Sequence, residues 1–149
     1  MGVTNLLKGK EVDLELQTCE RDSSIEECVQ QMNDKRIGAL VVVDKEGFLD
    51  GIITERDILK KCVSGKNSRD NMVVADVMTA KDKMVTTQKG KTINDVMALM
   101  TKNKVRHIPV VEDGKPTAMI SIVDVVKSLL DHALSENSSL KNYIMGAPD

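Results

Sequence analysis

VRHIPVVEDGKPTAMISIVD, residues 105–124, changes its hydrophobic period part-way along. Val105, Ile108, Val110 and Val111 form a β-rich apolar run, Glu112-Asp113-Gly114 supplies a turn, and Ala118 to Ser121 return as a second strand. From Ser121 the apolar spacing becomes three and four, through Ile122, Val125, Val126 and Leu129, which predicts a helix. Ser121 and Asp124 therefore lie where strand becomes helix, with Arg106 and His107 on the neighbouring strand. A helix start with spare N–H groups, a hydroxyl, a carboxylate and nearby cations suits a phosphorylated sugar.

The same plan occurs earlier, as RIGALVVVD (36–44), a Gly at 47, and GIITERD (51–57). The helices in front match too. Ser24 opens one, with Ile25, Cys28, Val29 and Met32 apolar; Thr92 opens the other, with Ile93, Val96, Met97 and Met100 apolar. The copies are offset by 68 residues before the turn (Ser24 to Thr92) and by 67 after it (Asp57 to Asp124), so the second turn is one residue shorter. The chain is a tandem repeat of a helix-strand-strand-helix unit, an α/β fold.

Two such units in 149 residues each sit near the lower limit for an independent core, so they are expected to pack together as one body. The balance of 41% apolar and 30% charged residues is that of a soluble domain. No apolar run approaches the roughly 20 residues of a membrane span. A net charge of −2 argues against a general nucleic-acid binder, which would present a basic face. Phe48 and Tyr143 are the only aromatics, so a stacking platform for single strands is excluded and any bound base must lie between aliphatic side chains. Cys19, Cys28 and Cys62 are odd in number and lack metal-ligand spacing, which fits reduced thiols in an intracellular, cytoplasmic protein. Met1-Gly2 invites a myristoylation reading, but Leu6 stands where that motif needs Ser or Thr, and no targeting signal is expected.

In chain order, residues 1–66 are a lead and the first repeat, 67–136 a linker and the second repeat, and 137–149 a tail. Residues 1–11 read as a short helical lead with Leu6 and Leu7 available for docking, and 14–18 as an extended segment mirrored by 84–86. Ser24 and Glu27 form a capping box, the helix runs to Lys35, and Gly38 lies just past its end. Glu55 to Val63 is expected as a short helix with Ile58, Leu59, Cys62 and Val63 inward. SGKNSRDN (64–71) is the inter-repeat linker, and VADVMT (74–79) opens the second repeat. The last helix is apolar through Val125, Val126, Leu129, Leu130, Ala133 and Leu134, a wider arc than one contact surface needs, and 140–144 adds a final turn.

Thr54-x-x-Asp57 and Ser121-x-x-Asp124 carry two readings. The pattern is a capping box open to any helix. Each copy also follows an apolar strand directly and holds the same place in its repeat. The Asp could then take ribose hydroxyls while the Thr or Ser and free N–H groups take phosphate. The two roles are compatible. Lys35 and Lys104 have the ordinary role of complementing helix dipoles, whereas Arg36, Arg56, Arg106 and His107 are the candidate anion-holding cations. Neither His107 nor His132 has a Cys or carboxylate at ligand spacing, which argues against a structural zinc site. No nucleophile, base and orienting group assemble into an enzyme.

These repeats resemble tandem CBS domains, the cystathionine-β-synthase-type pair known as a Bateman module. The resemblance spans about residues 12–130 and rests on IGALVVVD…G…GIITERD, on VADVMT and on VRHIPVVE.G…ISIVD. It implies two pseudo-twofold-related α/β repeats packed as one Bateman module, with two clefts between their sheets. It also implies adenosyl ligands (AMP, ADP, ATP, NAD or S-adenosylmethionine) and pairing of modules into a homodimer. The family's ribose-binding carboxylate falls on Asp57 and Asp124, and its hydroxyl on Thr54 and Ser121. Its adenine-lining positions fall on Thr18–Cys19 with Ile37, Gly38 and Ala39, and on Thr86–Thr87 with His107, Ile108 and Pro109. In one departure, Ala118 replaces the first copy's Gly51, and its methyl is expected to narrow one cleft. The expectation is a stand-alone regulatory module, not an enzyme, that requires no cofactor. It binds an adenine nucleotide as regulatory ligand and signals to an unidentified partner protein, with no role for nucleic acid or membrane. A ligand-free dimerisation module and an S-adenosylmethionine sensor are the alternatives.

Overall fold

The computed structural model describes residues 2–3, 16–63 and 71–136. All but residues 2–3 of the helical lead, nearly all of the linker and the terminal turn expected from sequence lie outside the described residues.

The first repeat runs through β1 (Thr18–Cys19), α1 (Ile25–Lys35), β2 (Ala39–Val43), β3 (Leu49–Thr54) and α2 (Glu55–Ile58). After α3 (Val74–Val77) and β4 (Thr79–Ala80), the second repeat supplies α4 (Ile93–Asn103), β5 (His107–Glu112), β6 (Lys115–Ser121) and α5 (Ile122–Glu136). Ser24 Oγ accepts from Glu27 N at 3.1 Å to start α1, and Ile25, Cys28 and Met32 turn one face to the core. Arg36 ends α1 and Lys104 ends α4, both with φ 54 in the left-handed region. These two residues take the place glycine usually holds at a helix end, so Gly38 is not the helix stop.

After Ile58 the backbone widens into a π-helical turn over Leu59–Val63. The extra residue in that turn shifts the side-chain phase. Ile58 stays buried, but Leu59 and Val63 face outward at 59% and 68% exposure, against the inward placement predicted from a 3.6-residue period.

One sheet has the order β1-β2-β3-β4, with β1 parallel to β2 and the other pairs antiparallel; the second is the hairpin β5-β6. The second hairpin turns on Asp113 and Gly114, both at positive φ (52 and 78), a two-residue turn whose twist matches the strands. Thr87 bridges Val110 in parallel, as Cys19 pairs with Val42 in the first repeat. Val41 N donates to Gln17 O at 3.3 Å, but its counterpart Pro109 has no N–H to give, so the second repeat keeps a single bridge there.

Two segments are exchanged between the repeats. Val74, Val77 and Met78 pack with Ile25, Leu40, Val42 and Ile53, and β4 pairs with Gly51 and Ile52 of β3. VADVMT, grouped by sequence with the second repeat, thus completes the sheet and core of the first. Reciprocally, Val3 packs with Ile93, Ile108, Val110 and Ile120, and Gly2 bridges Thr92 as Val73 bridges Ser24.

Ala39, Val41 and Ile52 alternate with the core residues and point to the opposite face of the sheet, where they too are buried. The second repeat meets the first on that side. Leu49 N donates to Gly114 O at 2.9 Å, and Lys115 Nζ lies 5.0 Å from the centre of the Phe48 ring. A methyl on Gly38 would stand 3.6 Å from His107 Cε1. Among the described residues no helix is long and apolar enough to cross a membrane.

Candidate functional site

Each repeat passes from strand to helix at the motif singled out in the sequence. Thr54 N and Thr54 Oγ1 both donate to Asp57 Oδ2 at 3.0 Å, and Asp57 N donates back to Thr54 Oγ1 at 3.2 Å. Ser121 N donates to Asp124 Oδ2 at 2.8 Å, and Asp124 N to Ser121 Oγ at 3.1 Å. The capping reading is therefore realised twice. In both boxes the bonds fall on Oδ2, and both carboxylates are only partly buried. At the first junction, capping uses Asp57 Oδ2 and leaves Oδ1 outside the box.

Backbone bonds then bring a second segment to each junction. Glu55 N donates to Gly38 O at 3.0 Å, and Ile122 N to Arg106 O at 2.8 Å. Ala39 pairs with Thr54, and His107 with Ser121. Ile37, Gly38 and Ala39 therefore sit beside Thr54 and Asp57, while Val105, Arg106 and His107 sit beside Ser121 and Asp124. Thr18 lies on β1, opposite Val41; Thr86 directly precedes Thr87, which bridges Val110.

Several expected members fall elsewhere. Ile108 is fully buried in the second core, because strand alternation sends it to the helix side of the sheet, away from His107 and Pro109. Pro109 is buried at the position of Val41 on the face between the repeats. Val105 takes the place of Ile37; the constant offset of 68 in the sequence would have found it. Arg36 is the left-handed cap of α1, with its N–H directed to Asn33 O and Met32 O. Arg56 and Arg106 are exposed, the first on α2 next to Asp57, the second just before β5 rather than within it. Glu55, which sequence reasoning passed over, sets its carboxylate against Gly38 at the place where His107 arrives from the other repeat.

Gly51 also has a different meaning from the one expected. A methyl there would stand 2.5 Å from Thr79 O and 3.1 Å from Met78 Sδ. The glycine makes room for the backbone of β4, not for a ligand. Ala118 is tolerated because β6 pairs only with β5 among the described residues.

Among the described residues no three His, Cys, Asp or Glu side chains cluster so as to hold a metal ion. The chemistry the two junctions offer is that of a neutral or anionic hydroxylated ligand: acceptor oxygens for ribose, helix N–H groups and guanidinium groups for phosphate.

The family described as the CBS domain matches residues 11–64 and 74–131. The chain belongs to the CBS-domain family. Its two CBS repeats resemble CBSX3 of Arabidopsis thaliana, a mitochondrial CBS domain-containing protein, with 38% identity over 141 residues, covering 93% of this chain and 68% of that protein. Among solved structures, a protein with CBS domains from Burkholderia ambifaria MC40-6 superposes at a TM-score of 0.82 with 35% identity, covering 88% of this chain and 95% of its own. CBSX2 in complex with AMP shares the fold at a TM-score of 0.70 and 23% identity, over 78% of this chain and 90% of that one. The pair of CBS repeats with two pseudo-equivalent junctions is the Bateman architecture that the repeated motifs imply.

Proposed function

We propose that this CBS pair is a regulatory module that binds a phosphorylated adenosine at the Thr54–Asp57 and Ser121–Asp124 junctions and passes its occupancy to a partner protein. The observation that carries this reading is the repeated junction itself. Each sets a partly buried carboxylate of a capping box beside a strand edge and an exposed arginine. The AMP complex of the structural neighbour CBSX2 supports adenine nucleotide as the ligand class. AMP, ADP, ATP and NAD come before S-adenosylmethionine, because Arg56 and Arg106 favour phosphate over a sulfonium. The module carries out no catalysis and requires no cofactor: the ligand acts by binding.

Calorimetric titration tests this directly. AMP is expected to bind more tightly than adenosine, and its affinity to fall as salt is raised, since exposed guanidinium groups supply part of the attraction. Equal affinities for adenosine and AMP at every salt concentration would overturn the reading.

The assembly is proposed to be a homodimer through α2 with its π-turn and α5. Leu59, Val123, Val126 and Leu130 are 59%, 68%, 56% and 57% exposed, an apolar surface of the kind that marks an interface. Light scattering at high micromolar concentration is expected to give twice the chain mass, and a monomer mass would rule the dimer out. Three free cysteines suit a reducing compartment. The cytosol is proposed, and a fluorescent fusion separates it from the mitochondrial placement carried by the Arabidopsis relative's name.

A further inference from the structure

We propose that Cys19 and Cys28 form an oxidative modification site, a thiol pair that a small neutral hydroperoxide converts to a disulfide clasping β1 to α1. The thiol pair lies between β1 and α1 and uses neither carboxylate of the two junctions, although it adjoins Thr18, which with Cys19 the resemblance places along the adenine. Gln31 fixes β1 against α1: its Nε2 donates to Thr18 O at 3.1 Å and to Gln17 Oε1 at 3.3 Å. Cys28 lies three residues before Gln31, on the same helix face, and so is aimed at the residue that follows Thr18. Cys19 packs on the core to which Cys28 belongs, and the two thiols are near enough to shift each other's ionisation. A strand residue and a helix residue that share one core and one cavity wall can meet at the separation a disulfide needs. Both cysteines are free, and both line one cavity of about 310 Å³ that Glu20, Ser23 and Glu27 also wall. That cavity is the route to Cys28, which is otherwise 1% exposed.

Interaction between the two side chains lowers the pKa of Cys28 and raises that of Cys19, so Cys28 is the first to ionise. Its place in the first turns of α1 adds the helix dipole. The Cys28 thiolate attacks one oxygen of hydrogen peroxide: the S–O bond forms as the O–O bond breaks, and the departing hydroxide takes up the proton that Cys28 released, giving water. Cys19 then attacks the sulfenic sulfur. The S–S bond forms, the S–O bond breaks, and the hydroxyl leaves with the Cys19 proton as a second water. Two thiols and one hydrogen peroxide thus give one disulfide and two waters. Glu20 and Glu27 at the cavity disfavour anionic oxidants, which leaves the small neutral peroxide as the suited reagent. Cys62 stands apart, with its Sγ 3.9 Å from Met72 Sδ.

The test is hydrogen peroxide treatment of the full chain, followed by unfolding, alkylation with iodoacetamide and peptide mass mapping. Before treatment all three cysteines alkylate. Afterwards only Cys62 is expected to, a Cys19–Cys28 linked peptide appears, and dithiothreitol restores the rest. C62S should give the same link and C28S should abolish it; should C28S not fold, the map of the native chain still decides. Three alkylated cysteines after peroxide, a link that includes Cys62, or sulfinic acid without a link would each overturn the proposal.

Discussion

Asp57→Asn is expected to weaken AMP binding by about tenfold or more, which is 1.4 kcal/mol, while leaving the fold intact. Asp57 accepts two hydrogen bonds from Thr54 through Oδ2 alone. An Asn can keep its oxygen on the cap and so preserve most of the helix start. Its amide then occupies the place of Oδ1, with donors where ribose hydroxyls need acceptors, and the charge is gone. Hydrogen bonds to charged groups are worth roughly 1.5–3 kcal/mol each, so the loss of one accounts for the expected effect. Asp124→Asn applies the same logic to the second junction, where Ser121 N holds Oδ2 at 2.8 Å. The larger loss is expected at Asp57, because Arg56 lies next to it on α2 whereas the corresponding residue on α5 is the exposed Val123. Thr54→Ala is the contrasting variant: it removes the cap hydroxyl and should cost about 1 kcal/mol of stability. Titrations of both Asn variants and the double variant that match the native chain would return the two aspartates to capping alone.

Gly51→Ala should destabilise the protein by about 1–3 kcal/mol, the usual range for forcing an extra methyl into a packed site. The obstacle is the carbonyl of Thr79, part of β4 and unable to swing aside as a side-chain tip would. Met78 Sδ, the other close atom, belongs to a flexible chain and can yield. Thermal melting is the measurement, with a fall of roughly 2–4 °C for each kcal/mol in a chain of this size. Gly38→Ala provides the comparison. Its methyl meets the movable end of Glu55 and the edge of His107, so melting close to that of the native chain is expected. Equal melting of Gly51→Ala and the native protein would show that β4 does not hold its place against β3.

What the sequence determined by itself is the set of features that short-range physics controls. The repeat and its offset, the strand-to-helix changes at Ser121 and Thr54, the Ser and Thr caps and the shorter Asp-Gly turn all follow from side chains within a few residues of one another. For the same reason the carboxylate–hydroxyl pairs of the site were readable as pairs. Tertiary structure decided the rest. Val74 completes the first core and Val3 the second, an exchange that no local period records because the partners lie dozens of residues apart. Gly51 answers to a carbonyl on β4, and Gly38 to the tip of Glu55 and a histidine from the other repeat. Ile108 turned inward and Leu59 outward because sheet pairing and a π-helical turn set the phase that a regular period only approximates. Local sequence chooses a conformation; which face is buried, and against what, depends on backbone brought in from elsewhere in the chain.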